Sequence, residues 1–113
     1  MSDQQFQHFL SELKDYLKQP KMFTTNLDRA REFYHAVDLA EQLFSDATVE
    51  IQDDPLQAGA MILCVDAMDI VVRGAKEIKL FNEMVSNASN FEIYFSKGNI
   101  HFAAVFQGVH KRV

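Results

Sequence analysis

Apolar residues along this chain recur first at every third or fourth position and later at every second, and that change of period restricts the folds open to it. Phe6, Phe9, Leu10, Leu13, Tyr16 and Leu17 make one helical stripe, with Gln7, Ser11, Glu12, Lys14, Asp15 and Lys18 off it. Ser2 and Gln5 have the spacing of a capping box, and Pro20 disfavours helical geometry at Gln19, so a first helix is expected to end near Lys18. Thr24-Thr25-Asn26 offers N-caps for a second helix, with Asp28 and Glu32 near its positive end. Ala30, Phe33, Val37, Ala40 and Phe44, flanked by Leu27, Tyr34 and Leu43, carry it from about Leu27 to Ser45. The short connection predicts an antiparallel helix pair.

After Asp46 the period becomes two. Thr48 to Gln52 alternates as a half-buried strand does, and Asp53-Asp54-Pro55 closes it. Ala60 to Val65 is apolar on both faces and reads as a central strand. Asp66 to Asp69 then reads as a turn leading to a strand at Ile70-Val71-Val72; the alternative, one strand from 60 to 73, exceeds the usual strand length. Gly74 ends that stretch, and Ala75, Ile78, Phe81, Val85 and Ala88 return to helical spacing. Phe91, Ile93 and Phe95 alternate with polar neighbours, Lys97-Gly98-Asn99 supplies a tight turn, and Ile100 to Gln107 forms the hairpin partner. The expected order is α-α-β-β-β-α-β-β in a single domain over residues 1–113: an α+β fold with the helix pair packed on a four- to five-stranded, mostly antiparallel sheet.

The formal charge of −5 is unevenly spread. No Lys or Arg lies between Arg31 and Arg73, an interval holding nine carboxylates. An acidic balance disfavours direct binding to nucleic acid. It leaves open an acidic interaction patch built from Glu32, Asp38, Glu41, Glu50, Asp53 and Asp54, facing a basic partner. Asp53-Asp54 and Asp66/Asp69 otherwise read as turn residues.

Catalytic signatures are missing. The glycines at 59, 74, 98 and 108 are isolated and form no phosphate loop or nucleophile elbow, and the four histidines are scattered. Cys64 is the lone cysteine, which excludes an internal disulfide and a multi-cysteine zinc site; it is expected to be inert unless His101 approaches from a neighbouring strand. Glu32 and His35 have the spacing of two metal ligands on one helix face, but a di-metal bundle needs a second such motif. No metal or cofactor is therefore expected. Met1 to Gln5 lacks the basic start of a signal peptide, and the longest apolar run, Ala58 to Val65, is too short to span a membrane, so a cytoplasmic location is expected.

These readings favour a small, non-catalytic accessory or regulatory protein that acts by protein–protein interaction. Ala103 and Val105 oppose Phe102, Ala104 and Phe106 on the last strand; this two-sided apolar surface suggests a sheet face that meets a second subunit in a homodimer. The alternatives are a small-ligand binder or enzyme, with Tyr34, His35, Tyr94 and His101 as polar groups of a pocket between helices and sheet, or an acidic nucleic-acid mimic.

Overall fold

The computed structural model describes residues 3–17, 19–43, 47–67, 75–97 and 99–113. Helix α1 spans Asp3–Asp15 and buries Phe6, Phe9 and Leu13. It ends a little before Lys18, in tightened bonds from Tyr16 N to Leu13 O (3.3 Å) and from Leu17 N to Lys14 O (3.2 Å). Tyr16, expected on the buried stripe, therefore falls past the helix and is 42% exposed. Ser2 of the expected capping box and Lys18 lie outside the described residues. A 3-10 turn at Pro20–Met22 follows.

Helix α2 spans Leu27–Leu43. Asn26, alone of the three candidate caps, caps it: its Oδ1 accepts from Asp28 N (3.1 Å) and Arg29 N (3.3 Å). Thr24 and Thr25 belong instead to strand β1, Phe23–Thr25. The expected continuation of α2 through Phe44 and Ser45 lies outside the described residues.

Four strands make the main sheet: β2 (Thr48–Asp53), β3 (Met61–Ala67), β4 (Asn90–Ser96) and β5 (Asn99–Phe106). Their order is β2-β3-β5-β4 and every pairing is antiparallel, with β3 in the interior as expected. Strand β3 runs two residues beyond Val65, so no turn begins at Asp66: Asp66 pairs with Thr48 and His101, and Ala67 pairs with Ile100 and is buried. The expected strand at Ile70-Val71-Val72 lies outside the described residues. Helix α3, Ala75–Val85, closes in a turn from Ala88 N to Val85 O (3.1 Å) rather than running helically to Ala88. The β4–β5 hairpin turns tightly between Ser96 and Asn99, with Lys97 in the left-handed region at φ 53°.

The core lies between the helices and one face of this sheet. Met61, Leu63 and Val65 of β3 and Phe102, Ala104 and Phe106 of β5 join Phe6, Phe9, Leu13, Phe33, Leu39 and Met84 of the helices. Phe33 links three elements, with its ring centroid 5.9 Å from Phe9 and 5.2 Å from Phe106. At the other end Phe81 of α3 meets Phe91 (5.5 Å) and Phe102 (5.9 Å). This aromatic network accounts for most of the phenylalanines that the periodicity placed on core faces.

A second sheet was not apparent in the sequence. Strand β6, His110–Arg112, pairs antiparallel with β1, matching Phe23 to Arg112 and Thr25 to His110. The His110 side chain is buried, with Nδ1 3.2 Å from Thr25 Oγ1. Burial, reinforced by Lys14, lowers its pKa below the ordinary histidine value. The folded protein therefore holds His110 neutral, whereas the unfolded chain takes up a proton near pH ~6.5. This contribution to stability is complete above that pH and is lost as pH falls toward the depressed folded value. The urea midpoint is expected to drop between neutral pH and mildly acidic pH, and His110→Gln to flatten that drop; an unchanged pH slope in the variant would remove His110 as its source.

Candidate interaction face

Strand alternation gives the main sheet a second face, and among the described residues no helix covers it. Its outward positions include three rows that cross all four strands. The first is Gln52, Ile62, Val105 and Asn90; the second is Glu50, Cys64, Ala103 and Glu92; the third is Thr48, Asp66, His101 and Tyr94. Ile62, Cys64, Ala103 and Val105, on the two inner strands, form a half-buried apolar centre outside the core cluster. Glu50, Asp66 and Glu92 carry the charge around it.

The third row carries a hydrogen bond and a ring stack between its side chains. His101 Nδ1 donates to the Asp66 carboxylate. The Tyr94 ring stacks on the imidazole at 4.9 Å and 14°. Asp66 thus orients the ring and Tyr94 covers it, leaving a flat aromatic surface at one end of the apolar centre.

Adjacent strands do bring Cys64 and His101 onto one face, one diagonal step apart in register. The electrostatics nevertheless oppose a nucleophile. Burial first, then the carboxylates of Asp66 and Glu50, push the Cys64 thiol above its usual range. A thiol held protonated between two acids packs as a small apolar side chain.

The other candidates from the sequence are dispersed. Tyr94 and His101 meet on the helix-free face, whereas Tyr34 and His35 sit on α2, so the four do not line one pocket. Tyr34 packs on Phe6 and Phe9 of α1, and His35 Nε2 lies 3.2 Å from Glu83 of α3. Glu32 pairs instead with Arg29 at 3.2 Å, so the Glu32/His35 motif is turned to two different partners. Among the described residues no group of three or more His, Cys, Asp or Glu side chains is placed to hold a metal ion.

The six acidic candidates are likewise divided. Glu50 faces outward on the sheet; Asp53 is half-buried at the end of β2. Asp54 is buried, and its Oδ1 accepts from Leu56 N at 2.8 Å, the turn role its position suggested. Asp38 and Glu41 line an open groove of about 260 Å³ between α1, α2 and Ile51, together with Glu12, His8 and Tyr34. Asp66 and Glu92, which share a face with Glu50, were not in the expected patch. The alternation of residues 90–96 already put Glu92 and Tyr94 on one side; only the strand order could bring them beside Glu50 and Asp66.

Fold and face define an α+β domain whose main sheet, among the described residues, has one surface covered by helices and one that no helix covers. Comparison of the chain with protein-family models, curated proteins and solved structures gave no match. Among the described residues no helix is long and apolar enough to cross a membrane.

Proposed function

We propose that the protein is a small, cytoplasmic, non-catalytic accessory or regulatory module that docks a basic protein partner on the helix-free face of its sheet. The observation that carries this reading is the layout of that face: an apolar centre of Ile62, Cys64, Ala103 and Val105 beside Glu50, Asp66 and Glu92, with no Lys or Arg in the three rows. An apolar centre with a polar rim is the anatomy of a protein interface. Carboxylates of one sign favour a partner carrying Lys and Arg, and speed its approach at low salt. The raised pKa of Cys64 supports a binding role for the face over a nucleophilic one, and a single free thiol suits a reducing compartment.

The test is a comparison of proteins retained from a lysate by wild type and by two folded variants, Glu50→Lys and Ala103→Arg. A basic protein held by wild type in a salt-sensitive manner and weakened about tenfold or more by each variant is the expected result, since an introduced cation both removes attraction and occupies the centre. Retention of the same proteins by all three would reject the face as the docking surface.

A second reading, small-ligand binding, draws on the groove between α1 and α2, where Tyr34, Asp38 and Glu41 converge. A metabolite, nucleotide or metal ion that raises Tm for wild type but not for Asp38→Asn would favour it.

A further inference from the structure

The two edges of the main sheet differ in their protection. Strand β2 carries Glu50 and Asp53 and runs into Asp54-Pro55, features that discourage strand addition. Strand β4, Asn90-Phe91-Glu92-Ile93-Tyr94-Phe95-Ser96, holds one charge and neither proline nor lysine. Its apolar side chains are also open: Ile93 is 46% exposed, Tyr94 54% and Phe95 75%. Ile78, 50% exposed, stands one helical turn before Phe81, whose ring rests on Phe91 of β4. Much of the large apolar surface exposed among the described residues is thus concentrated along one strand edge and the helix beside it.

We infer that β4 pairs antiparallel with β4 of a second copy about a two-fold axis at Ile93, joining two four-stranded sheets into one. The strand's own sequence selects this register. With Ile93 opposite itself, Phe91 meets Phe95 on the helix side, Glu92 meets Tyr94 on the bare side, and Asn90 meets Ser96. Every residue of β4 has a partner, the apolar helix-side residues face one another, Glu92 faces the Tyr94 ring, and no charge lies directly opposite its like. A slip of one residue sets the helix-side face of one copy against the bare face of the other. A slip of two in one direction opposes the two Glu92 carboxylates; in the other it leaves Asn90 and Phe91 without strand partners.

The pairing puts both helix layers on one side and both acidic faces on the other. It uses the edge rather than the face and stands independently of partner docking. A single short strand with Ile78 beside it makes a smaller contact than a standard protein interface, so association in the micromolar range is expected.

Sedimentation velocity over a concentration series tests the pairing. Wild type is expected to pass from monomer to dimer as concentration rises. Ile93→Lys and Ile93→Glu, each folded by circular dichroism because the side chain is half exposed, are expected to remain monomeric. Their equimolar mixture is expected to dimerise, since the axis sets position 93 against itself and the pair becomes Lys opposite Glu. Phe95→Lys, at a more exposed site, provides a second disrupting variant should either substitution at 93 unfold the chain. A wild type that stays monomeric throughout, a dimer indifferent to Ile93→Lys and Phe95→Lys, or a mixture that fails to associate would overturn the inference. A dimer that persists in Glu50→Lys, alongside loss of the basic partner, would separate this contact from the docking face.

Discussion

Replacing Gly59 with alanine is expected to lower stability by about 3–5 kcal/mol, enough to leave much of a marginally stable domain unfolded. Gly59 has φ +84°, where an L side chain is strained by roughly 1–2 kcal/mol. The larger contribution is steric. A Cβ there falls 2.9 Å from the carbonyl carbon of His110 and still closer to its oxygen. Both are backbone atoms that cannot rotate away. The same approach allows the bond from His110 N to Gly59 O, at 2.9 Å, which ties the 54–60 loop to β6. Gly108 is the internal control. Its φ is +72°, yet nothing lies within 4 Å of a Cβ built on it, so Gly108→Ala should show only the conformational cost of about 1 kcal/mol. Urea denaturation of the two variants checks both figures; equal losses would refute the steric account.

Phe33→Ala is expected to cost about 3–5 kcal/mol, the range for emptying a buried phenylalanine site. Phe33 has no exposed surface and holds α2 against α1 through Phe9 and against β5 through Phe106. Because the cavity opens where a helix pair and a sheet meet, collapse from one side opens a gap on another. Leu27→Ala, on the same helix but 55% exposed, should change stability by less than about 1 kcal/mol. A loss for Phe33→Ala no larger than that for Leu27→Ala, measured by urea midpoint, would contradict the packing described above.

These substitutions also indicate which parts of the fold could be read from the residues. Phe33 stood out because a helix repeats its buried positions in sequence, and the same holds for Phe6, Phe9 and Leu13. The strands of the main sheet were legible for the matching reason, their period of two. Strands β1 and β6 were not, because three residues are too few to display a period, and Thr24-Thr25 has an equally good reading as a helix cap. Asp66 misled for a local reason: aspartate favours turns, but here its carboxylate accepts from His101 within the sheet. The bare face was half legible. Ala103 and Val105 marked a second apolar surface, whereas the grouping of Glu50, Asp66 and Glu92 depends on strand order, which is a long-range property. The acidic interval of the sequence was a poor guide to surface charge, since Asp54 turns inward to a backbone amide and Glu32 is matched by Arg29.

The pairing of β1 with β6 also sets an order of events during synthesis. Thr25 emerges from the ribosome long before His110, 85 positions later. Helices α1 and α2 can form from their own local contacts, but β1 has no partner strand until residues 110–112 are free of the exit tunnel. The closing step joins distant stretches of chain, so it bears the loop-closure entropy and comes late. Nascent chains arrested before residue 110 should therefore hold helical structure while the 20–26 segment remains open to protease, and emergence of residues 110–112 should protect it.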